Sequence, residues 1–193
     1  MNPITHLLLG WTVASADGTL ARRERAAVTL AAVVPDLDGL GLAAEILTRG
    51  SRHEMLWWSA YHHTVLHNLT FALFVSAVSF FLTGRRWRVA FLVFVSFHIH
   101  LLGDILGARG PDNDHWPIPY LTPFSDAWQF AWNGQWDLNA WPNIALSMAL
   151  LLLCFYLAWK RGYSPLEMIS ARADQAFVQT LRRRFPQKSK GGA

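Results

Sequence analysis

Apolar residues in this chain come in long blocks rather than in the period-two alternation of half-buried strands, which predicts helices throughout. Three blocks approach membrane-spanning length. Residues 69–83 are apolar apart from small hydroxyls, and become a helix of about 20 residues if it begins near His62. Residues 87–108 start as an apolar run and then carry His98, His100 and Asp104, while residues 144–159, extended by Trp141 and Asn143, form the cleanest run. Two shorter blocks, 3–16 and 20–34, each cover about 20 Å at helical rise, less than the ~30 Å hydrocarbon core of a bilayer. Asp17-Gly18 joins them as a turn and Pro35 stops the second, so they are expected to form a hairpin packed on the longer helices. The first block contains His6 and has no basic residues before it, so it is not expected to be a signal peptide.

Residues 109–142 form a long polar loop in which Trp116, Tyr120, Phe124, Trp128, Phe130, Trp132 and Trp136 argue for a folded state. Beyond it, Ser164 is the expected N-cap of a last helix with Pro165 at its first position. Leu166, Ile169, Ala173, Phe177 and Leu181 line one face of that helix, and Arg182-Arg183-Arg184 leads into a basic tail: an interfacial amphipathic helix. The expected architecture is an all-α, multi-pass membrane bundle of three long helices plus an N-terminal helical hairpin, with a metal site at one end. Residues 1–163 make the membrane-embedded domain and residues 164–193 the amphipathic helix and tail.

Composition excludes the rivals. Hydrophobic residues make up 52% and charged residues 16%, against about 25% charged in ordinary soluble domains, which rules out a disordered chain. The single Cys154 lies inside an apolar run, so it reads as a small buried hydrophobe and not as part of a disulfide framework. A net charge of +4 fits either nucleic acid or anionic lipid. The charges sit at the ends of apolar blocks, which selects membrane lipid and makes nucleic acid an unexpected partner. If Arg85, Arg86 and Arg88 are cytoplasmic, alternation places Lys160, Arg161 and the tail on the same side, and the hairpin turn with Arg22, Arg23 and Arg25 joins them if the two short helices cross most of the membrane. Of the 17 basic residues only Arg49, Arg52 and Arg109 then face the other way, a strong positive-inside asymmetry.

On that topology the ligand-type residues gather at the non-cytoplasmic end. His6 lies at the start of the first block, Asp36 and Asp38 follow the second, His62, His63 and His67 open the third, and His100 and Asp104 close the fourth. His63 and His67 are four apart, as are His100 and Asp104, so on helices each pair projects from one face. Imidazole nitrogen with carboxylate oxygen suits zinc, manganese or iron, and one to three ions could be held. His98 is expected to hydrogen-bond within the bundle, and His53 and Glu54 to be surface residues. Asp112 and Asp114, with Asn113, read as turn formers that could instead touch metal or substrate. His115, Arg109 and Trp116, in the loop beside the cluster, are candidate substrate-binding residues.

The segments Pro3-Ile-Thr-His6, Val34-Pro-Asp-Leu-Asp38, His62-His-Thr-Val-Leu-His67, His100-Leu-Leu-Gly-Asp104 and Pro117-Ile-Pro-Tyr-Leu-Thr-Pro-Phe-Ser125 occur in this order. Together they resemble the YdjM-like, LexA-binding, inner-membrane-associated metal-dependent hydrolases, over residues 1–160. That family is similar to zinc-dependent phospholipases C, which are helical and use His and Asp ligands. Its third motif reads His-Arg-x-x-Thr-His, which makes His62 and His67 the ligands and puts His63 where Arg is usual; helical spacing prefers His63, and both stay in the candidate set. The resemblance implies a metal-dependent hydrolase in the inner membrane, acting on a lipid or other phosphoester through metal-activated water. Asp38 or Asp36 is then the candidate proton acceptor. The alternative is a non-enzymatic membrane protein with a structural metal, whose basic tail binds a cytoplasmic protein or anionic lipid.

Overall fold

The structure, a computed structural model, describes residues 1–110 and 115–186; Asp112, Asn113 and Asp114, and the end of the basic tail with Lys188 and Lys190, lie outside the described residues. It is mostly helical, with a two-residue antiparallel ladder, Ile118–Pro119 against Gln129–Phe130, in the aromatic loop. Helix α1 (Pro3–Ala16) starts where the Asn2 side chain accepts from Thr5 N with Pro3 in the first turn, and α2 (Arg22–Ala31) starts where Glu24 accepts from Ala21 N at 2.8 Å. The two pack on each other as a hairpin, with Gly10 so close that a Cβ there would lie 2.6 Å from Thr29 O. A 3₁₀ segment, Val34–Leu40, then turns the chain into α3 (Gly41–Thr48) and α4 (Trp57–Tyr61).

Among the described residues, two helices are long and apolar enough to cross a membrane: α6 (Trp87–Gly107) and α7 (Trp141–Arg161), each of 21 residues or about 30 Å. The pair Arg22–Ala31 and Val34–Thr48, bent by 54°, makes a third span if taken as one. Helix α5 (Leu69–Leu82) has 14 residues and not the expected ~20. Its start is set by Asn68, whose side chain accepts from Phe71 N at 2.9 Å while its amide donates back to Thr64 O and Val65 O. That cap leaves residues 62–67 outside the helix, so the expected helical pairing of His63 with His67 does not exist. His63 in fact has φ 64°, a left-handed turn conformation.

Helix α1 is central, touching α2, α6 and α7. Trp11, Val28, Val89, Val93 and Phe97 are fully buried around it, and Cys154 is buried on α7, as a small hydrophobe should be. Three of the basic residues at the far end from the histidines are tied down. Arg88 pairs with Asp17 at 2.7 Å, Arg86 with Glu24, and Arg25 grips Glu167 through two bonds of 2.6 and 2.7 Å while lying over the Tyr163 ring.

Glu167 belongs to the tail, which departs from the expected single helix. Ser164 caps a 3₁₀ turn, Pro165–Met168, and α8 (Ala171–Arg184) begins only after a second cap at Ser170. The tail also docks on the bundle. Buried Asp174 accepts from Ser164 N and Oγ at 2.6 Å, Phe177 meets Phe155 edge to face, and Arg182 Nε donates to Trp159 O at 2.9 Å. Asn143, at the start of α7, binds the carbonyls of Gly107, Asp137 and Leu138 and so fastens the aromatic loop across the ends of α6 and α7.

Candidate metal centre

The helix ends opposite the basic turns bring the histidines and aspartates together. His6 comes from the first turn of α1, Asp36 and Asp38 from the 3₁₀ segment, His62, His63 and His67 from the turn ahead of α5, and His100 and Asp104 from successive turns of α6. Their ring and carboxylate atoms form two groups tight enough to hold a divalent metal ion: His6, Asp36, His100 and Asp104, and His63, His67 and Asp104. Asp104 belongs to both. His6, His67 and His100 are fully buried, and Asp104 is 1% exposed. Unpaired charges at that depth are costly unless they coordinate a cation.

Tautomers follow from the hydrogen-bond network. His100 Nδ1 lies 2.9 Å from the Ala32 carbonyl, which can only accept, so Nδ1 carries the proton and Nε2 presents its lone pair. His67 Nδ1 faces Asp38 Oδ2 at 2.9 Å, and its Nε2 too is turned inward. The two Nε2 atoms are 3.1 Å apart, and Asp104 Oδ2 sits 2.9 Å from one and 3.5 Å from the other. Asp104 Oδ2 makes no aligned hydrogen bond, and His6 Nδ1, His63 Nδ1 and Asp36 Oδ2 are likewise buried without a partner. Ligands about 2.05 Å from one tetrahedral ion stand roughly 3.3 Å from each other; His100 Nε2 lies 2.9 Å from Asp104 and 3.8 Å from Asp36 in the first group, and His67 Nε2 lies 3.5 Å from Asp104 in the second, which is near that spacing. The residues fit a metal.

Charge has already been arranged for a cation. Burial alone pushes His67 down, but the carboxylates of Asp104, 3.5 Å from its Nε2, and of Asp38, bonded to its Nδ1, outweigh it and raise its pKa to about 9. Without a metal, this ring therefore holds a proton between two carboxylates. Burial holds His63 well below the usual histidine range, so its lone pair is available at neutral pH.

The other candidate residues fall around this centre. Asp38 lies in neither group: its Oδ1 accepts from His62 Nδ1 at 2.8 Å, its Oδ2 from His67 Nδ1, and Leu66 N adds a longer bond of 3.3 Å. His62 is outside both groups as well, stacked on Trp58 with ring centres 3.7 Å apart. His98 points away from His100: its Nδ1 donates to Phe94 O and its Nε2 accepts from Tyr120 OH at 2.9 Å. His53 and Glu54 are exposed. Arg109, His115 and Trp116 line, with Asp36, His62 and His63, an open cavity of about 1590 Å³ above the centre. Trp116 stands edge-on to His62 and His63, and Arg109 Nε donates to Asp137 Oδ1 at 2.7 Å.

Four supports escaped the sequence reading. Gln135 donates to Asp104 O at 2.6 Å, the Ala32 carbonyl orients His100, and the Met1 amine donates to Asp104 Oδ1, as His6 Nε2 does at 3.0 Å. Gly103 is the fourth, because a Cβ there would come within 3.0 Å of His6 Cε1. A glycine in mid-helix, one residue before a buried aspartate, was the available signal for a close approach.

No curated protein and no solved structure matches this chain. The family model for the YdjM inner membrane protein does match, over residues 1–171. That span includes every residue of the metal centre and both membrane-length helices, and the chain belongs to the YdjM inner membrane protein family.

Proposed function

We propose that this protein is a membrane-embedded, metal-dependent hydrolase of phosphoesters. The observation that carries the reading is the sharing of Asp104 by two buried His/Asp groups at the floor of an open cavity. Zinc is the first candidate for this ligand set, with manganese or iron next. When bound, a divalent metal supplies Lewis acidity that polarises a phosphoryl oxygen and acidifies water near it. The chain's own residues do the rest. Asp36, whose Oδ2 has no partner and which lines the cavity, accepts a proton. Asp38 holds His67 in the tautomer that presents Nε2. Arg109 and His115, on the cavity wall, meet the negative phosphate, while Trp58 and Trp116 shield the floor from water. The test is metal analysis of the purified protein together with phosphate or head-group release from a panel of phospholipids, polyprenyl phosphates and soluble phosphodiesters. Turnover that disappears with chelation and returns with zinc is expected. Metal-loaded protein with no turnover on the whole panel turns the reading to a structural metal.

Asp38→Asn separates positioning from ligation. The amide can accept one imidazole N–H but presents its own N–H₂ to the other ring, so the tautomer of His62 or His67 is lost. Metal affinity is expected to fall about 10- to 100-fold, while His98→Ala, which removes ring nitrogens bonded to Phe94 O and Tyr120 OH, leaves it unchanged. Equilibrium dialysis against a zinc buffer reads both. An unchanged affinity in Asp38→Asn removes Asp38 from the centre.

The family description and the membrane-length helices support an inner-membrane, multi-pass location. The basic turns and tail argue that the metal centre faces away from the cytoplasm. In a Cys154→Ala background, an impermeant thiol reagent on intact cells is expected to label Asn133→Cys and not Gln179→Cys. The reverse pattern puts the centre on the cytoplasmic side.

A further inference from the structure

Helices α3 and α4 stand out because neither has a buried residue, although α3 reads Gly-Leu-Ala-Ala-Glu-Ile-Leu-Thr. Leu40 is 69% exposed, Leu47 85% and Ile46 56%, and the returning limb shows Leu56 and Trp57 at 54% and 52%. This is no loose loop. Ser59 N and Oγ bind the Glu45 carboxylate at 3.1 and 3.0 Å, and Gly41 lets the limbs close so tightly that a Cβ would lie 2.8 Å from the Trp57 backbone. A braced hairpin with apolar residues turned outward needs an apolar environment outside the protein.

Two further observations say which. Exposed apolar positions continue along the chain through Tyr61 and Val65 onto Leu73 and Phe74 of α5, and α6 and α7 expose Phe91, Leu102, Ile144, Met148 and Leu152 in the same way. The hairpin thus continues the apolar surface of a bundle whose two longest helices are long and apolar enough to cross a membrane. At its tip are Arg49 and Arg52, both exposed and, among the described residues, without a carboxylate partner. Cations at the end of an apolar hairpin match the head-group layer of an anionic monolayer. The 54° bend from α2 to the segment containing α3 swings this element away from the bundle direction.

We propose that the α3–α4 hairpin is seated in the lipid monolayer at the metal-centre end of the bundle, with Arg49 and Arg52 among the head groups. Its root, Gly39, Leu40, Trp58, Ser59 and Ala60, lines the cavity over the metal centre. The cavity therefore opens onto the monolayer, and its substrate is an amphiphile that slides in from the bilayer with its phosphoester leading. This last step rests on the hydrolase reading; the seating does not.

The seating is tested on the full chain in nanodiscs containing phosphatidylglycerol. Cys154, the single cysteine, is replaced by Ala, and an environment-sensitive dye is placed at Leu47→Cys, with Phe91→Cys on α6 as the bilayer reference. Quenching at Leu47 by lipid-borne nitroxide is expected within about twofold of that at Phe91, and iodide quenching about fivefold below that of free dye. Iodide quenching equal to free dye overturns the proposal. So does protection from both quenchers, which signals contact with a second copy of the chain. Arg49→Gln with Arg52→Gln is expected to bring the Leu47 signal partway back toward water only in anionic discs. The entry step is read separately: Ile46→Glu with Leu47→Glu should raise KM for a bilayer phospholipid about tenfold and leave a soluble phosphodiester unaffected. Equal effects on both substrates overturn lateral entry. A lipid-seated label with no turnover on any substrate keeps the hairpin in the monolayer and sinks the hydrolase reading instead.

Discussion

Replacing Asp104 by Ala is expected to empty both metal groups at once, with total affinity falling by at least about 10²-fold. His6→Ala and His67→Ala should each cost one group only, because His6 sits with Asp36 and His100, and His67 with His63. Asp104 takes part in both, and its Oδ1 also accepts from His6 Nε2 and the Met1 amine, so it ties α1 to α6. Asp104→Asn is the companion variant: it keeps the size and a hydrogen-bonding oxygen but not the charge. Zinc per chain by elemental analysis, with thermal unfolding in the presence and absence of zinc, reads the result. Wild type at 100 times its Kd gains about 2.7 kcal/mol from the ligand; Asp104→Asn should gain almost none. A zinc content equal to wild type in either variant means that Asp104 is a structural carboxylate.

The sequence made His100 and Asp104 legible because a spacing of four on a real helix does place both side chains on one face. It separated His98 for the same reason, since two residues turn a helix by about 200°, and His98 does go to Tyr120 instead. The identical spacing of His63 and His67 misled, because spacing says nothing until a helix is established. Asn68, a strong N-cap residue just ahead of an apolar run, marked where that helix starts. The two rings meet anyway, stacked at 4.5 Å, through a turn whose positive φ at His63 no periodicity reveals. Asp38 was legible as a member of the cluster but not as the carboxylate behind two imidazoles, a long-range arrangement across 24 to 29 residues. The tail's amphipathic stripe was visible, but its docking was not. That depends on Arg25–Glu167 and Ser164–Asp174, polar pairs that leave no hydrophobic pattern.

Asn143→Ala is the second large effect expected, and it lies outside the metal centre. The sequence shows Asn143 only as a polar residue at the head of an apolar run, yet it is 1% exposed and uses its whole amide. Its Nδ2 donates to Gly107 O, Asp137 O and Leu138 O at 2.8 to 3.1 Å, and its Oδ1 accepts from Trp136 Nε1 at 2.9 Å. Truncation leaves three carbonyls and an indole N–H without this partner. With two N–H shared among the three carbonyls and one bond at Oδ1, at about 1 kcal/mol for each bond the loss is ~3 kcal/mol, or roughly 6 to 12 °C in Tm for a chain of this size. The bonds between Arg109 N and Trp136 O and between Trp136 N and Leu106 O are next to it and should loosen with it, freeing the wall that carries Arg109. None of the metal-group residues lies in the aromatic loop or on α7, so zinc content should stay near wild type while turnover falls. Gly107→Ala should behave alike, because its Cβ would lie 2.2 Å from Trp136 Nε1 and 2.6 Å from Asn143 Oδ1. Asn143→Asp should be worse than Ala, since it sets a carboxylate against three carbonyl oxygens. An Asn143→Ala protein that melts with wild type, or one that loses its zinc, would show that the aromatic loop is not held, or not held apart from the metal centre, in this way.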